Sequence, residues 1–278
     1  MAIFTISRQL GSLGDTVAEE LARRLNAPLM DPSLVMTAAS GYGLGSEQGT
    51  PPEMAERAPT LLQRLGEDRQ RYGVLIRSVL YDFVAEHSDA VIVGLGGQAV
   101  FAPVRHVYRF LIVAPFEVRV ERVIGDRQVD RKTATVSVHQ SDRERAGYYH
   151  YMHHVDWLNP ELYNVVVNSE GEQVESVVDL LLGVAERLDR APTSESRQVL
   201  EDLALAARVE ARLVTSHQVR VFMLAAQAAE GHVRVDGVVD SLATRAQVEH
   251  IVRETPGVQD CTFNVRARTL LPPSAGLG

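Results

Sequence analysis

Apolar and polar positions alternate between two regimes through the first 190 residues. Short runs of β-branched and aromatic residues, the signature of buried strands, occur at AIFTIS (2–7), APLMD (27–31), AVIV (90–93), HVYRFLIVAP (106–115) and LYNVVVNS (162–169). Between them lie segments with helical spacing. DTVAEELARRL places Val17, Ala18, Leu21, Ala22 and Leu25 on one face, with acids early and arginines late as a helix dipole favours. Further helices are expected over 61–87, 116–128, 133–154 and 174–188, the last strongly amphipathic. The second strand is expected to end at Asp31, and the Gly- and Pro-rich stretch 41–60 reads as a mobile loop. Strands apolar on both sides and alternating with helices indicate an α/β fold, a parallel sheet covered by helices on each face.

The pattern changes after residue 190. RAPTSESRQ is polar and interrupted by Pro192, so 191–198 reads as a linker joining a first domain (1–190) to a second (199–270), with a loose tail over 271–278. The second domain reads helix (199–214), strand (219–225), strand (232–239), helix (243–254), strand (258–265), a small α+β unit of order αββαβ.

Composition narrows the chemistry. The formal net charge of −8 argues against nonspecific binding of nucleic acid. No apolar run is long enough to cross a bilayer, and the start lacks a basic region followed by a long apolar core, so a cytoplasmic protein is expected. Cys261 is the only cysteine, and Lys132 is the only lysine among 28 basic residues. Any step that needs a lysine therefore has one candidate, on a segment that reads as a solvated surface. His150, His153 and His154 have spacing that could suit a metal, but with no fourth ligand nearby a polar helix face is expected and no metal site is assigned.

The turn RQLGSLG lies between the first strand and the first helix, a place where free backbone N–H groups and a helix N-terminus can hold a phosphate. A full phosphate-loop pattern would read GxxxxGK[ST]; here the lysine is missing, and Gly14-Asp15-Thr16 or a register one residue earlier takes its place. A tight capped turn without ligand is the competing reading of these residues alone.

More than the turn matches a known pattern. IFTISRQLGSLGDTVAEELARRLNAPLMD, VIVGLGGQAVF, LIVAPFEVRVERV, SDRERAGYY and DWLNPELYNVVVNSEG occur in that order, and together they resemble the cytidylate kinase-like family. The resemblance implies a P-loop kinase fold, ATP as phosphoryl donor, Mg²⁺, and a CMP-type acceptor. It places Gly11, Ser12, Gly14, Asp15 and Thr16 at the phosphate loop, and Asp31, Gly94 and Gly96 on the acceptor side. Arg119 and Arg122 would lie in or beside the lid, with Arg127, Arg131, Asp142, Arg143 and Arg145 as its catalytic charges. The sequence departs from the family at three points. Leu13 replaces a glycine, Asp15 stands where relatives usually carry arginine, and Leu95 takes the place of the arginine expected to hold the acceptor phosphate. GHVRVDGVVDSLATRAQVEHIVRETPGV resembles a BON domain, through Val233, Val235, Gly237 and Val239, the helix face Val248, Ile251 and Val252, and the turn at Pro256. Such a domain implies binding to membranes, ligands or other proteins, and here a protein partner or self-association is expected. Three functions follow: a nucleotide-binding protein of degenerate kinase fold that senses nucleotide and signals through the BON domain, an active ATP-dependent (d)CMP-type kinase, or a structural oligomerisation protein.

Overall fold

The computed structural model describes residues 2–40, 68–87, 89–188, 190–216, 219 and 221–267. The loop expected over 41–60, the start of the helix expected from 61 and the tail over 271–278 lie outside the described residues.

Five parallel strands form the first sheet: β1 (Ile3–Arg8), β2 (Leu29–Met30), β3 (Ala90–Val93), β4 (Val107–Val113) and β5 (Val165–Asn168), in the order β2-β3-β1-β4-β5. The pairing is parallel throughout, with Ile3 opposite Ala90 on one side and Val107 on the other. Parallel neighbours need crossover helices, and these cover both faces. On one face α1 (Gly14–Leu25) and α7 (Val174–Leu188) bury Val17, Leu21, Val178 and Leu181 against Phe4, Ile6, Val91 and Phe110. On the other, α3 (Asp68–Glu86), the short α4 (Gly97–Val100) and α8 (Ser194–Thr215) enclose Ile3, Ile92 and Val107 with Leu80, Val84 and Phe101. α5 (Phe116–Arg127) and α6 (Arg131–His153) pack on each other through Val120, Val123, Ala134 and Val138, and Tyr148, Tyr149, Trp157 and Tyr163 pack together against Leu111. β5 is an edge strand, with Val166 exposed, rather than a strand buried on both faces.

Two expectations are corrected here. The second strand stops at Met30, and Asp31 instead starts α2 (Pro32–Ser40), a helix absent from the sequence reading. Its Oδ1 accepts from the Ser33 N–H (2.8 Å), the Ser33 hydroxyl (2.6 Å) and the Leu34 N–H (2.9 Å), while Pro32 fits the first helical position. The segment 191–198 is not an extended linker over its length, because α8 begins at Ser194. Thr193 accepts from the Ser196 N–H and Ser196 answers by accepting from the Thr193 N–H, a reciprocal cap that starts the helix just after Pro192.

The second sheet has the order β6-β7-β8, from β6 (Val221–Ala229), β7 (His232–Val239) and β8 (Asp260–Ala267). The first pair is antiparallel and the second parallel. α9 (Leu242–Arg253) and α8 cover one face, burying Val233, Val235, Val248, Val252 and Val265. α8 serves two cores. Leu200, Ala204 and Ala207 enter the core of the first sheet, and Leu205, Val209 and Leu213 enter that of the second.

Candidate nucleotide site

All five parallel strands end at one edge, where ligands of open α/β sheets bind. The loop after β1 lies there. Gly11 (φ +77°) and Leu13 (φ +66°) are left-handed, and a Cβ on Gly11 would stand 2.6 Å from the Arg119 carbonyl oxygen. Glycine is therefore required at 11 by both backbone and space. Leu13 adopts at some strain a conformation that a glycine would take freely.

The polar groups of this loop are sorted by type. Every carbonyl from Gln9 to Leu13 accepts a protein donor. The Gln9 oxygen takes the Ser12 N–H (3.2 Å) and hydroxyl (2.8 Å), and Leu10 takes Arg119 Nη1 (3.5 Å). Gly11 takes Arg122 Nη1 (3.2 Å), Ser12 takes the Ser169 hydroxyl (2.7 Å), and Leu13 takes the Val17 N–H (2.8 Å). Among the described residues, by contrast, the N–H groups of Leu10, Gly11, Leu13, Gly14, Asp15 and Thr16 donate to nothing. An unpaired row of N–H groups at a helix N-terminus is suited to an anion.

A cleft of about 380 Å³ opens beside the loop. It brings together Asp15, Asp31, Arg127 and Arg145, residues singled out in the sequence, with Arg8, Glu19 and Glu144, which were not. Arg8 ends β1, and its buried guanidinium donates through Nε to Asp15 Oδ1 at 2.8 Å. Asp15 is thus held by a cation rather than standing as a bare charge. Its side chain is 61 % exposed against 7 % for Arg8, so water screens the carboxylate far more than its partner. Arg145 is buried with its guanidinium 5.8 Å from the centre of the Trp157 ring. Three arginines face four carboxylates in this cleft.

The other expected charges lie elsewhere. Arg119 is buried and pairs with Asp142 through two bonds of 2.9 and 2.8 Å, tying α5 to α6. Arg122 donates to the Gly11 carbonyl and to Ser169 and does not line the cleft. Arg131 pairs at the surface with Glu117 and Glu121, and Arg143 is exposed, donating to the His139 carbonyl. Neither lines the cleft. Lys132 is exposed. Ser12 is buried under the loop, whereas Thr16 is exposed at the start of α1.

Gly94, Leu95 and Gly96 form a turn with three successive positive φ angles of 69°, 56° and 76°. Leu95 is fully buried in the hydrophobic core that contains Leu80 and Phe101. The Tyr148 hydroxyl donates to the Leu95 carbonyl at 3.5 Å, and the Gly96 N–H donates to the Tyr149 hydroxyl at 3.4 Å. His153 is part of this packing, which corrects the expectation of a polar histidine face. Its ring lies 5.9 Å from both tyrosine rings, its Nε2 is buried without a partner among the described residues, and a Cβ on Gly96 would be 2.0 Å from that nitrogen. Burial foremost, with the charge of Arg77 second, holds its pKa down to about 4.

The model of the cytidylate kinase-like family matches residues 3–171, more than half of the chain. The chain belongs to the cytidylate kinase-like family. The BON domain model matches residues 201–267, the segment that carries the second sheet. A curated cytidylate kinase from Methanothermobacter thermautotrophicus is 26% identical over 176 residues, covering 63% of this chain and 99% of that protein. Among solved structures, an uncharacterised protein from Eubacterium ventriosum superposes with a TM-score of 0.53 at 19% identity. That match covers 67% of this chain and 99% of the other, and it supports the fold alone. Within the family pattern Arg8 is the arginine of the ISR segment, a cation that sequence reasoning quoted but did not place in the site. Its signal was its position at the carboxyl end of β1.

Family membership suggests dependence on nucleotide and magnesium. Among the described residues no group of three His, Cys, Asp or Glu side chains could hold a metal. Magnesium often relies on substrate phosphates for several ligands, so these residues fit it only as the companion of a bound nucleotide. The exposed Thr16 hydroxyl at the helix start would be the protein ligand, and the ion would neutralise phosphate charge there.

Proposed function

We propose that the chain binds a nucleotide, with its phosphates on the N–H groups of the loop from Leu10 to Thr16, and that phosphoryl transfer at this site is slow. The observation that carries the reading is the sorting of the loop, with all carbonyls from Gln9 to Leu13 occupied and, among the described residues, six N–H groups unpaired. Catalysis of phosphoryl transfer rests on positioning and on neutralising charge. The acceptor-side cation is replaced by Leu95 in the core, Arg8 is engaged by Asp15, and carboxylates outnumber arginines in the cleft. Those features support binding over turnover, and on this reading the BON domain would be the regulatory part.

A second reading, an active ATP-dependent (d)CMP-type kinase, is favoured by the convergence of Arg8, Arg127 and Arg145 on one cleft. A coupled assay with ATP, magnesium and CMP separates the two. Binding without fast turnover predicts rates well below the roughly 1–100 s⁻¹ of ordinary kinases, and a rate inside that range establishes the second reading.

A further inference from the structure

Two carbonyls of the loop after β1 are fastened by residues to which neither the family resemblance nor the comparisons give this task. Arg122, on α5, donates Nη1 to the Gly11 carbonyl (3.2 Å) and to the Ser169 hydroxyl (3.0 Å), and Nη2 to the Ser169 carbonyl (2.7 Å). Ser169 follows β5 directly, is fully buried, and fixes its own position by donating its N–H to the Val113 carbonyl (2.9 Å). Its hydroxyl, while accepting from Arg122, donates to the Ser12 carbonyl at 2.7 Å. Two successive loop carbonyls are thus taken by one small network that spans α5 and the end of β5.

The consequence is electrostatic. A carbonyl oxygen turned toward a phosphate would repel it, and a peptide plane that flips to do so also withdraws the next N–H from the anion. The Gly11–Ser12 and Ser12–Leu13 peptides carry the two oxygens held here, and the second also carries the unpaired Leu13 N–H. We propose that Arg122 and Ser169 are positioning residues, which hold those two peptide planes so that the loop presents N–H groups to the ligand. Arg122 then acts on the ligand through the loop and does not touch it. This inference rests on the reading of the loop as a phosphate site, and it adds the device that keeps the loop in a binding geometry.

The test uses the full chain as wild type and as Ser169→Ala, Ser169→Thr and Arg122→Gln, titrated separately with inorganic tripolyphosphate and with CMP, with amide exchange followed over residues 10–16. Loss of one buried hydrogen bond from the loop should weaken tripolyphosphate about ten-fold in Ser169→Ala, with CMP affinity changed less than about two-fold. Ser169→Thr, which keeps the hydroxyl, should bind like wild type. The Ser12 amide, which donates to the Gln9 carbonyl, should exchange at least about ten-fold faster in Ser169→Ala and Arg122→Gln, while the amides of β1 and α7 keep their rates. Unchanged tripolyphosphate affinity, or an equal loss of both ligands together with a general rise in exchange, overturns the proposal. Should the wild type bind no tripolyphosphate at all, the nucleotide reading fails on its own account. Loop exchange still decides whether the latch exists, and unaltered exchange in the variants refutes it.

Discussion

Replacing His153 with phenylalanine should remove a pH-dependent component of stability whose size follows from its burial. The imidazole packs between Tyr148, Tyr149 and Gly96 with Nε2 unpaired, and the charged groups that act on it are Arg77 from α3 and, if protonated, the adjacent His154. All of these disfavour a second positive charge, so its folded pKa lies at about 4 against 6.5 when exposed. Between those values the unfolded chain binds a proton that the folded chain refuses, so stability falls as the pH falls. Above about pH 7.5 the ring is neutral in both states and contributes no pH dependence. At pH 5 the loss works out at about 2 kcal/mol, and it approaches about 3 kcal/mol near pH 4. Urea unfolding of wild type and His153→Phe at pH 7.5 and pH 5.0 isolates the term. The wild type should lose about 2 kcal/mol more than the variant between the two pH values, whatever the variant's absolute stability, because the other titrating groups cancel. Equal losses in the two proteins would show that His153 is hydrated or paired in solution and would refute this account of the turn.

Two other outcomes follow from the same geometry. Asp15→Ala should remove the 2.8 Å ion pair with Arg8 and a carboxylate beside the loop, tightening ATP binding by about 3- to 10-fold, the modest size reflecting the exposure of Asp15; calorimetry giving unchanged affinity would mean that the loop does not hold phosphate. A chain cut back to residues 1–190 should melt at least about 10 °C lower than the full chain or lose its cooperative transition, since Leu200, Ala204 and Ala207 of α8 belong to the first core, and a truncated form as stable as the whole would show that this packing contributes little.

Much of the fold was legible because its elements are locally consistent. The segment VESVVDLLLGVAERL has one apolar stripe and bounds that coincide with α7, and the glycine turn between the first strand and helix signals the loop whatever its ligand. α8 was harder for a physical reason. Leu200, Ala204 and Ala207 point to one core and Leu205, Val209 and Leu213 to another, so the helix has two apolar faces. Their partners are distant in sequence, and Pro192 with the polar run after it resembles a linker until the Thr193–Ser196 cap is seen. Asp31 was read as the end of a strand because a carboxylate after an apolar run gives no sign of whether it faces a ligand or caps the next helix.

At the candidate site, sequence spacing pointed to the loop that borders the cleft but not to the direction of its side chains. Arg119, Arg122 and Asp142 sit on the helices expected of them, yet their hydrogen bonds run to one another and to loop carbonyls, a distinction set by rotamer and packing. His153 was misread because three histidines near a helix end resemble a solvated face, and only the surrounding Tyr148, Tyr149 and Gly96 show that one of them packs inward with its Nε2 buried.

The central claim is that the sorted loop is an anion site for a nucleotide's phosphates. Its most direct test is calorimetric titration of the wild-type chain with ATP, with and without magnesium, beside adenosine as a control that lacks phosphate. The account predicts saturable 1:1 binding of ATP with a dissociation constant in the range of about 1 μM to 1 mM, and adenosine binding weaker by at least about ten-fold. No heat of binding for ATP at several-fold above that range, or equal affinity for ATP and adenosine, would contradict it.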